Sequence, residues 1–158
     1  MTMENKGTIL IIIIAIALIA IGIYLIHSGT QTTMDGTANE FELETYALKN
    51  FDIKAPKGVN FSENNSNDKM IYYQNVGEHS DEISGIIVNK NLTDTLLGDK
   101  ITPLSNTSTE KIYVSQVKNN TVYKVVTTKN NTDIILIGQD LNLLKELANT
   151  TTIKKDVF

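Results

Sequence analysis

The sequence contains no cysteine, tryptophan or arginine, and only two prolines and two histidines. Without cysteine the chain forms no disulfide and carries no thioether-linked lipid, so an exported domain must depend on its hydrophobic core. Its 14 lysines and 18 acidic residues give a net charge of −4 and are scattered along the chain. The sequence therefore lacks the basic patch of a nucleic-acid-binding surface, and it predicts no nucleic-acid partner.

One long hydrophobic run is present, at residues 9–26, and it contains no charged residue. At 1.5 Å per residue a helix of this length reaches about 27 Å, close to the hydrocarbon thickness of a bilayer. The run is longer than the apolar region of about 7 to 15 residues in a cleavable signal peptide. The sequence therefore predicts an uncleaved transmembrane helix over residues 8–27, with the lipid bilayer as its partner.

The charges around this run predict its orientation. Lys6 and the terminal amine precede it, and no lysine follows until Lys49, so the positive-inside rule places residues 1–7 in the cytoplasm. Residues 28–40 are rich in Gly, Thr and Ser and are expected to form a flexible stalk. Residues 41–158 then suit one extracytoplasmic domain of a single-pass cell-membrane protein.

The start of the chain also supports a second interpretation. Lys6-Gly7 before a long apolar helix resembles the class III signal of archaeal pilins and archaellins. That resemblance implies processing after Gly7 and a helix that packs into a filament core. The small residues of the run never stand at i and i+4, the spacing that brings two helices close, so a plain membrane anchor is preferred.

Alternating apolar and polar residues predict most strands of the domain. The strand candidates are "FDIKAP", "MIYYQNV", "ISGIIVNK", "KIYVSQV", "TVYKVVTT" and "DIILIG". Asn119-Asn120 and Asn130-Asn131 suit positive φ in tight turns, which favours an antiparallel meander. "SENNSNDK" is expected to be a loop, "NLTDTLLGDKITPLSNTSTE" helical or irregular, and "FELETYALKN" either a strand or a short helix.

"DLNLLKELANT" predicts a C-terminal amphipathic helix with Asp140 as its N-cap. Because an isolated helix of this length is marginal in water, it should cover one face of the sheet. The predicted fold is α+β: an N-terminal transmembrane helix, then a small domain with a mostly antiparallel sheet, a meander, and this helix packed on it.

Phe51, Ile53, Pro56 and Gly58 form an "F-x-I-x-x-P-x-G" pattern that precedes the hairpins, a closing helix and a strand. Over residues 51–154 this order resembles the Mog1/PsbP-like group. The resemblance implies an antiparallel sheet flanked by helices, in a group of mostly non-catalytic binding and assembly modules. The aromatic residue that often follows the Gly is Val59 here, and no functional residue is carried over.

The polar turn "GEHSDE" comes nearest to a chemical site. His79 and Glu82 stand at i, i+3 and would share a metal ion if the turn were helical, but a solvated hairpin tip explains the same residues. "ENNSND" lacks the acidic spacing and glycine of a calcium loop. Phosphate loops, dinucleotide fingerprints and nucleophile elbows are missing. No catalytic residue or cofactor is predicted, and His79 and Glu82 are the only metal candidates.

Seven Asn-x-Ser/Thr acceptors for N-glycosylation occur, where roughly three are expected by chance. Asn119 and Asn130 fall in predicted hairpin tips, where a modifying enzyme could reach them. The seven are Asn60, Asn64, Asn91, Asn106, Asn119, Asn130 and Asn149.

Together these features predict an envelope protein that is not an enzyme, with a binding or scaffolding domain outside the membrane. The expected partner is another envelope protein or a glycan. Two alternatives stay open: a pilin-like filament subunit and a membrane-tethered hydrolase.

Overall fold

The computed structural model describes residues 41–49, 51–98, 101–154 and 158. Within this part of the chain, no helix has both the length and the apolar character needed to cross a membrane. The hydrophobic run at residues 9–26 and the predicted stalk at residues 28–40 lie outside the described residues.

The described residues form ten strands and two helices in two sheets. One sheet has the order β1-β2-β10 and the other β3-β4-β5-β9-β8-β7-β6, with every pairing antiparallel. The predicted α+β class with antiparallel sheets is therefore confirmed. The elements are β1 (Leu43–Ala47), β2 (Phe51–Pro56), β3 (Phe61–Ser66), β4 (Met70–Asn75), β5 (Gly85–Asn89), α1 (Thr93–Leu97), β6 (Thr102–Asn106), β7 (Glu110–Val117), β8 (Asn120–Lys129), β9 (Thr132–Gly138), α2 (Leu141–Thr150) and β10 (Thr152–Ile153).

The large sheet consists of two meanders rather than one. Strands β3, β4 and β5 follow one another, as do β6, β7, β8 and β9, and the two groups join where β5 pairs with β9. Strand β9 buries Ile134, Ile135 and Leu136 in succession. A strand that is apolar on both faces is stabilised at the centre of a sheet, and this explains why the last strand of the group lies beside β5.

One prediction for a polar segment is wrong and another is only partly right. The expected loop "SENNSNDK" contains most of β3, and the stretch expected to be helical or irregular contains β6 as well as α1. Strands β3 and β6 are the two edges of the large sheet, and each has a bulge, at Asn64 and Leu104. An edge strand pairs on one side only, so it tolerates polar residues and Pro103. "FELETYALKN", which fitted strand or helix, contains strand β1.

The hairpin turns use positive φ, as predicted, but one of them lies a residue earlier than expected. Asn130 and Asn131 have φ of 49° and 57°. Between β7 and β8 the turn residues are Lys118 and Asn119, because Asn120 already pairs with Val117 in the ladder.

The α2 face is the side of the large sheet that packs against helix α2 and strand β2. Its core includes Val125, Ile134 and Leu136 of the sheet and Leu144 and Leu147 of the helix, all buried. The side chain of Asp140 accepts a hydrogen bond from the backbone nitrogen of Leu143 at 3.0 Å. The predicted amphipathic helix, its N-cap and its packing on the sheet are confirmed.

The α1 face is the opposite side of the sheet, where successive side chains of each strand alternate with those of the α2 face. Tyr72, Ile87, Val126 and Ile135 form a smaller cluster there. Helix α1 covers it with Leu96 and Leu97. Five helical residues leave room beside α1, and that room forms the pocket described next.

Candidate functional site

A polar pocket of about 310 Å³ lies on the α1 face, at the end of the sheet where β8 ends and β9 begins. The start of α1 and the turn between β6 and β7 complete its wall. Five of the lining residues carry hydroxyl groups and three carry carboxylates. The lining residues are Asn91, Thr93, Asp94, Thr107, Ser108, Thr109, Glu110, Lys111, Val126, Thr128 and Asp133.

Among the carboxylates that line this pocket, Asp133 accepts the most side-chain hydrogen bonds. It lies opposite Asn89 on β5 and Thr128 on β8. The hydroxyl of Thr128 donates to Oδ1 at 2.6 Å, and the hydroxyl of Thr93 donates to Oδ2 at 2.5 Å. Hydrogen bonds to a charged acceptor are short and strong, so these two bonds fix the carboxylate and also fasten the start of α1 to the sheet.

Asn89 lies next to this carboxylate and is fully buried. Its Oδ1 accepts a hydrogen bond from the backbone nitrogen of Leu92 at 3.0 Å and lies 3.2 Å from the Thr93 hydroxyl. Its Nδ2 has no partner among the described residues. A buried donor without a partner costs about 1–3 kcal/mol, so this end of the α1 face is not optimised for stability.

The turn between β6 and β7 forms the rim of the pocket. The hydroxyl of Thr107 accepts from the backbone nitrogen of Glu110 at 3.0 Å and donates to its carbonyl oxygen at 2.9 Å. Glu110 and Asp94 add carboxylates to that of Asp133, and Lys111 supplies one ammonium. The pocket is therefore acidic and rich in groups that both donate and accept hydrogen bonds.

The titratable side chains that line the pocket are three carboxylates and one lysine. The pocket is lined by neither histidine nor cysteine. Thr93 is only 9 % exposed, and a carboxylate is a weak base for activating its hydroxyl. In residues 41–154, where described, no three histidine, cysteine or acidic side chains are placed to hold a metal ion. The arrangement suits the binding of a polar ligand.

Lys124 holds the other end of α1. Its side chain is 6 % exposed on the α1 face, and Nζ donates to the carbonyl oxygen of Leu97, the last residue of the helix, at 3.1 Å. Burial lowers the pKa of Lys124 to about 8. Helix α1 is thus fastened at its start through Thr93 and at its end through Lys124, and it forms a fixed wall of the pocket.

The sequence-predicted pair lies at the opposite end of the sheet, in the turn between β4 and β5. Nδ1 of His79 is 3.9 Å from Oε1 of Glu82. The His79 ring contacts Phe41 edge-on, with ring centroids 5.0 Å apart. Buried Asn75 holds the turn: its Nδ2 donates to the carbonyl oxygens of Glu78 and Ile83. The structure brings His79 and Glu82 together, but away from the pocket.

All seven predicted glycosylation acceptors lie within the described residues, and all seven are exposed. Sequence reasoning missed Asp133 and Lys124. Lys124 had a detectable signal, because it stands two residues from both Val122 and Val126 and therefore shares their face of the strand. Asp133 follows the Asn130-Asn131 turn, and its sequence position resembles that of an ordinary turn residue.

Comparison with known proteins adds no relative, since no family model and no curated protein matches the sequence. A function has to be inferred from the geometry of the pocket together with the sequence features.

Proposed function

We propose that the chain is a single-pass membrane protein whose extracytoplasmic domain is a non-catalytic binding module. The uncharged run at residues 9–26 supports the anchor, and the hydroxyl-rich, acidic lining of the pocket supports a binding role. The resemblance of residues 51–154 to Mog1/PsbP-like modules, itself a prediction, favours the same role. The ligand site is the pocket on the α1 face.

The ligand is a segment of an envelope glycan. A sugar hydroxyl donates one hydrogen bond and accepts others, which matches a wall of three carboxylates and five hydroxyls. A volume of about 310 Å³ is at the lower end of ligand pockets, which span about 300–1,000 Å³. The acidic balance of the wall disfavours anionic ligands such as phosphates. This hydroxyl-rich, acidic pocket is the observation that carries the proposal.

Binding of the full-length protein in nanodiscs to an array of envelope oligosaccharides tests the proposal. Glu110→Gln replaces a lining carboxylate with an amide of the same shape, and its backbone bonds to Thr107 are retained. Loss of one hydrogen bond to a charged group should weaken binding about tenfold. Glu146→Gln, an exposed change on α2, is the matched control and should bind like wild type. Equal binding by all three proteins would show that the pocket is not the ligand site.

The anchor is tested separately by peptide mapping and carbonate extraction of membranes. We expect the mature chain to retain residues 8–27 and to stay in the membrane fraction. A mature N-terminus at Thr8 would instead support a pilin-like subunit, and one beyond Ile26 would refute the anchor.

A further inference from the structure

The acceptor asparagines differ from the other asparagines in exposure. All seven Asn-x-Ser/Thr acceptors are exposed. Of the seven other described asparagines only three are exposed, whereas Asn75 and Asn89 are buried in hydrogen-bond networks. The three exposed ones are Asn67, Asn131 and Asn142. A sugar on any of the seven acceptors would thus extend into solvent without disturbing the core.

Exposure of the asparagine is only half of the requirement. The motif accepts serine or threonine two residues later, and what these share is a hydroxyl group, so a modifying enzyme must reach that hydroxyl too. The seven hydroxyls differ widely in how accessible they are in the folded domain.

Three of the seven hydroxyls are buried. Thr93 donates to the Asp133 carboxylate at 2.5 Å. Thr151 donates to the carbonyl oxygen of Leu147 at 2.7 Å. Thr132 is 4 % exposed. The acceptors that depend on these hydroxyls are Asn91, Asn149 and Asn130, and the folded domain does not offer them as complete motifs.

Two more motifs have one group engaged. The side-chain amide of Asn64 donates to Oε1 of Gln74 at 2.9 Å, and a sugar on that nitrogen would disturb the bond. Behind Asn119, the hydroxyl of Thr121 accepts from Nε2 of Gln116 at 2.9 Å. Both motifs are accessible only after a hydrogen bond of the fold is broken.

In the remaining two motifs both groups are exposed, at Asn60 with Ser62 and at Asn106 with Ser108. The backbone of Asn60 is held on both sides: its nitrogen donates to Oδ1 of Asn75, and its carbonyl oxygen accepts from the nitrogen of Val76. The middle residue of that motif, Phe61, is also half-buried, whereas all three residues of the motif that starts at Asn106 are exposed, at the end of β6 and in the turn that follows it.

We propose that Asn106 is N-glycosylated in the folded protein, at the rim of the pocket on the α1 face. Asn106 pairs with Lys111 across the hairpin, and both Lys111 and Ser108 line the pocket, so the sugar lies beside the ligand site. Asn60 is the second acceptor of the folded domain. This inference depends on the export of the domain, which is part of the proposed function.

The modification is a glycosyl transfer from a lipid-phosphate-linked oligosaccharide by an envelope glycosyltransferase. The side-chain amide nitrogen of Asn106 forms a bond to the anomeric carbon of the donor sugar. The bond between that carbon and the phosphate oxygen breaks, and the lipid phosphate leaves with the electron pair. The amide loses one proton, so no oxidant or reductant is required.

Glycopeptide mapping by mass spectrometry tests the inference on full-length protein purified from the membranes of its own host. We expect the highest occupancy at Asn106 and lower occupancy at Asn91, Asn130 and Asn149. Asn106→Gln and Ser108→Ala should each abolish the glycan on this motif. Thr109→Ala, which removes the neighbouring hydroxyl outside the motif, is the matched control and should retain it. All four proteins should melt at the same temperature, because the changed side chains are exposed.

An unmodified Asn106 in the wild-type protein would overturn the inference. So would equal or higher occupancy at the three acceptors with buried hydroxyls, because modification would then ignore the fold. Protease added to intact cells separates this failure from that of the proposed function. If the domain is digested but Asn106 is bare, only this inference fails. If the domain is protected inside the cell, both fail.

Discussion

The two faces of the large sheet are built differently. On the α2 face, a helix of ten residues and strand β2 close a core in which Phe51, Ile53, Leu144 and Leu147 are fully buried. On the α1 face, a helix of five residues covers a smaller cluster of apolar residues. Beside that cluster, Asp133 and the residues opposite it on the neighbouring strands, Asn89 and Thr128, are all polar. The difference indicates that the α2 face supplies most of the stability, and we propose that the α1 face serves in binding.

At the C-terminal end of each helix, a lysine side chain donates hydrogen bonds to backbone carbonyl oxygens. On the α2 face, Nζ of Lys129 donates to the carbonyl oxygens of Asn149 and Thr151 at the end of α2. On the α1 face, Lys124 does the same for Leu97 at the end of α1. An ammonium group stabilises the negative end of a helix dipole. Burial lowers the pKa of both lysines, and Lys124 is the more buried of the two.

Truncating one leucine on each face should give the largest difference between the faces in the loss of free energy of unfolding. Leu144→Ala leaves a cavity in the larger core and should lower the free energy of unfolding by about 4 kcal/mol. Leu96→Ala removes the same atoms beneath α1, where the short helix can relax, and should cost about 2 kcal/mol. Chemical denaturation of both variants measures the difference. Equal losses would mean that the two faces contribute equally to stability.

The pH dependence of stability should reflect the titration of Lys124. Burial lowers its pKa from 10.5 to about 8, so between these pH values the unfolded chain binds more protons than the folded protein. The free energy of unfolding therefore rises with pH in this window, by about 2 kcal/mol between pH 7.5 and 9.5.

Lys124→Met should remove this rise, whereas Lys129→Met should remove a smaller part, because Lys129 is less buried. Denaturant titrations at several pH values provide the measurement. The range ends below pH 10, because burial raises the pKa of Tyr72 and its titration lowers stability above that value. If the free energy of unfolding of Lys124→Met rose with pH as steeply as that of the wild type, the rise would not come from Lys124.

The two hydroxyls that donate to Asp133, those of Thr93 and Thr128, should contribute differently to the free energy of unfolding. Thr93→Val leaves the buried side of the carboxylate without its donor and should lower the free energy of unfolding by about 1.5 kcal/mol. Thr128→Val removes a donor that solvent can replace and should cost about 0.5 kcal/mol. Thermal unfolding compares the two. A larger effect of Thr128→Val would show that the start of α1 is not held through Thr93.

The smallest effect on oligosaccharide binding is expected from a change in the turn between β4 and β5. His79 has φ of 58° and contacts Phe41, so His79→Ala should cost about 1 kcal/mol through backbone strain and lost packing. Because the turn lies at the opposite end of the sheet from the pocket, oligosaccharide binding should stay at the wild-type level. Loss of binding in a folded His79→Ala protein would move the site to this turn.

Helix α2 and the central strands were predictable because local patterns decide them. Asp140 and the leucines that follow it specify a capped amphipathic helix, and Asn130-Asn131 specifies a tight turn. The edge strands β3 and β6 were not predictable, since an edge strand is held by backbone bonds and its side chains resemble those of a loop.

The pocket was not predictable because it combines residues that are distant in sequence. Thr93 and Asp133 are forty positions apart and meet only because β9 pairs with β5. The predicted pair His79 and Glu82 was found from its local spacing, and the structure does bring the two side chains together. Local spacing could not place them relative to the pocket, because sheet topology decides that.

Hydrogen exchange of the full-length protein in nanodiscs, with and without oligosaccharides released from the envelope of its host, tests the binding role of the α1 face most directly. We expect added protection at residues 91–97 and 107–111, which form the wall and rim of the pocket, and no change in α2. Protection confined to the turn around His79, or none at the pocket with saturating oligosaccharide, would contradict the account.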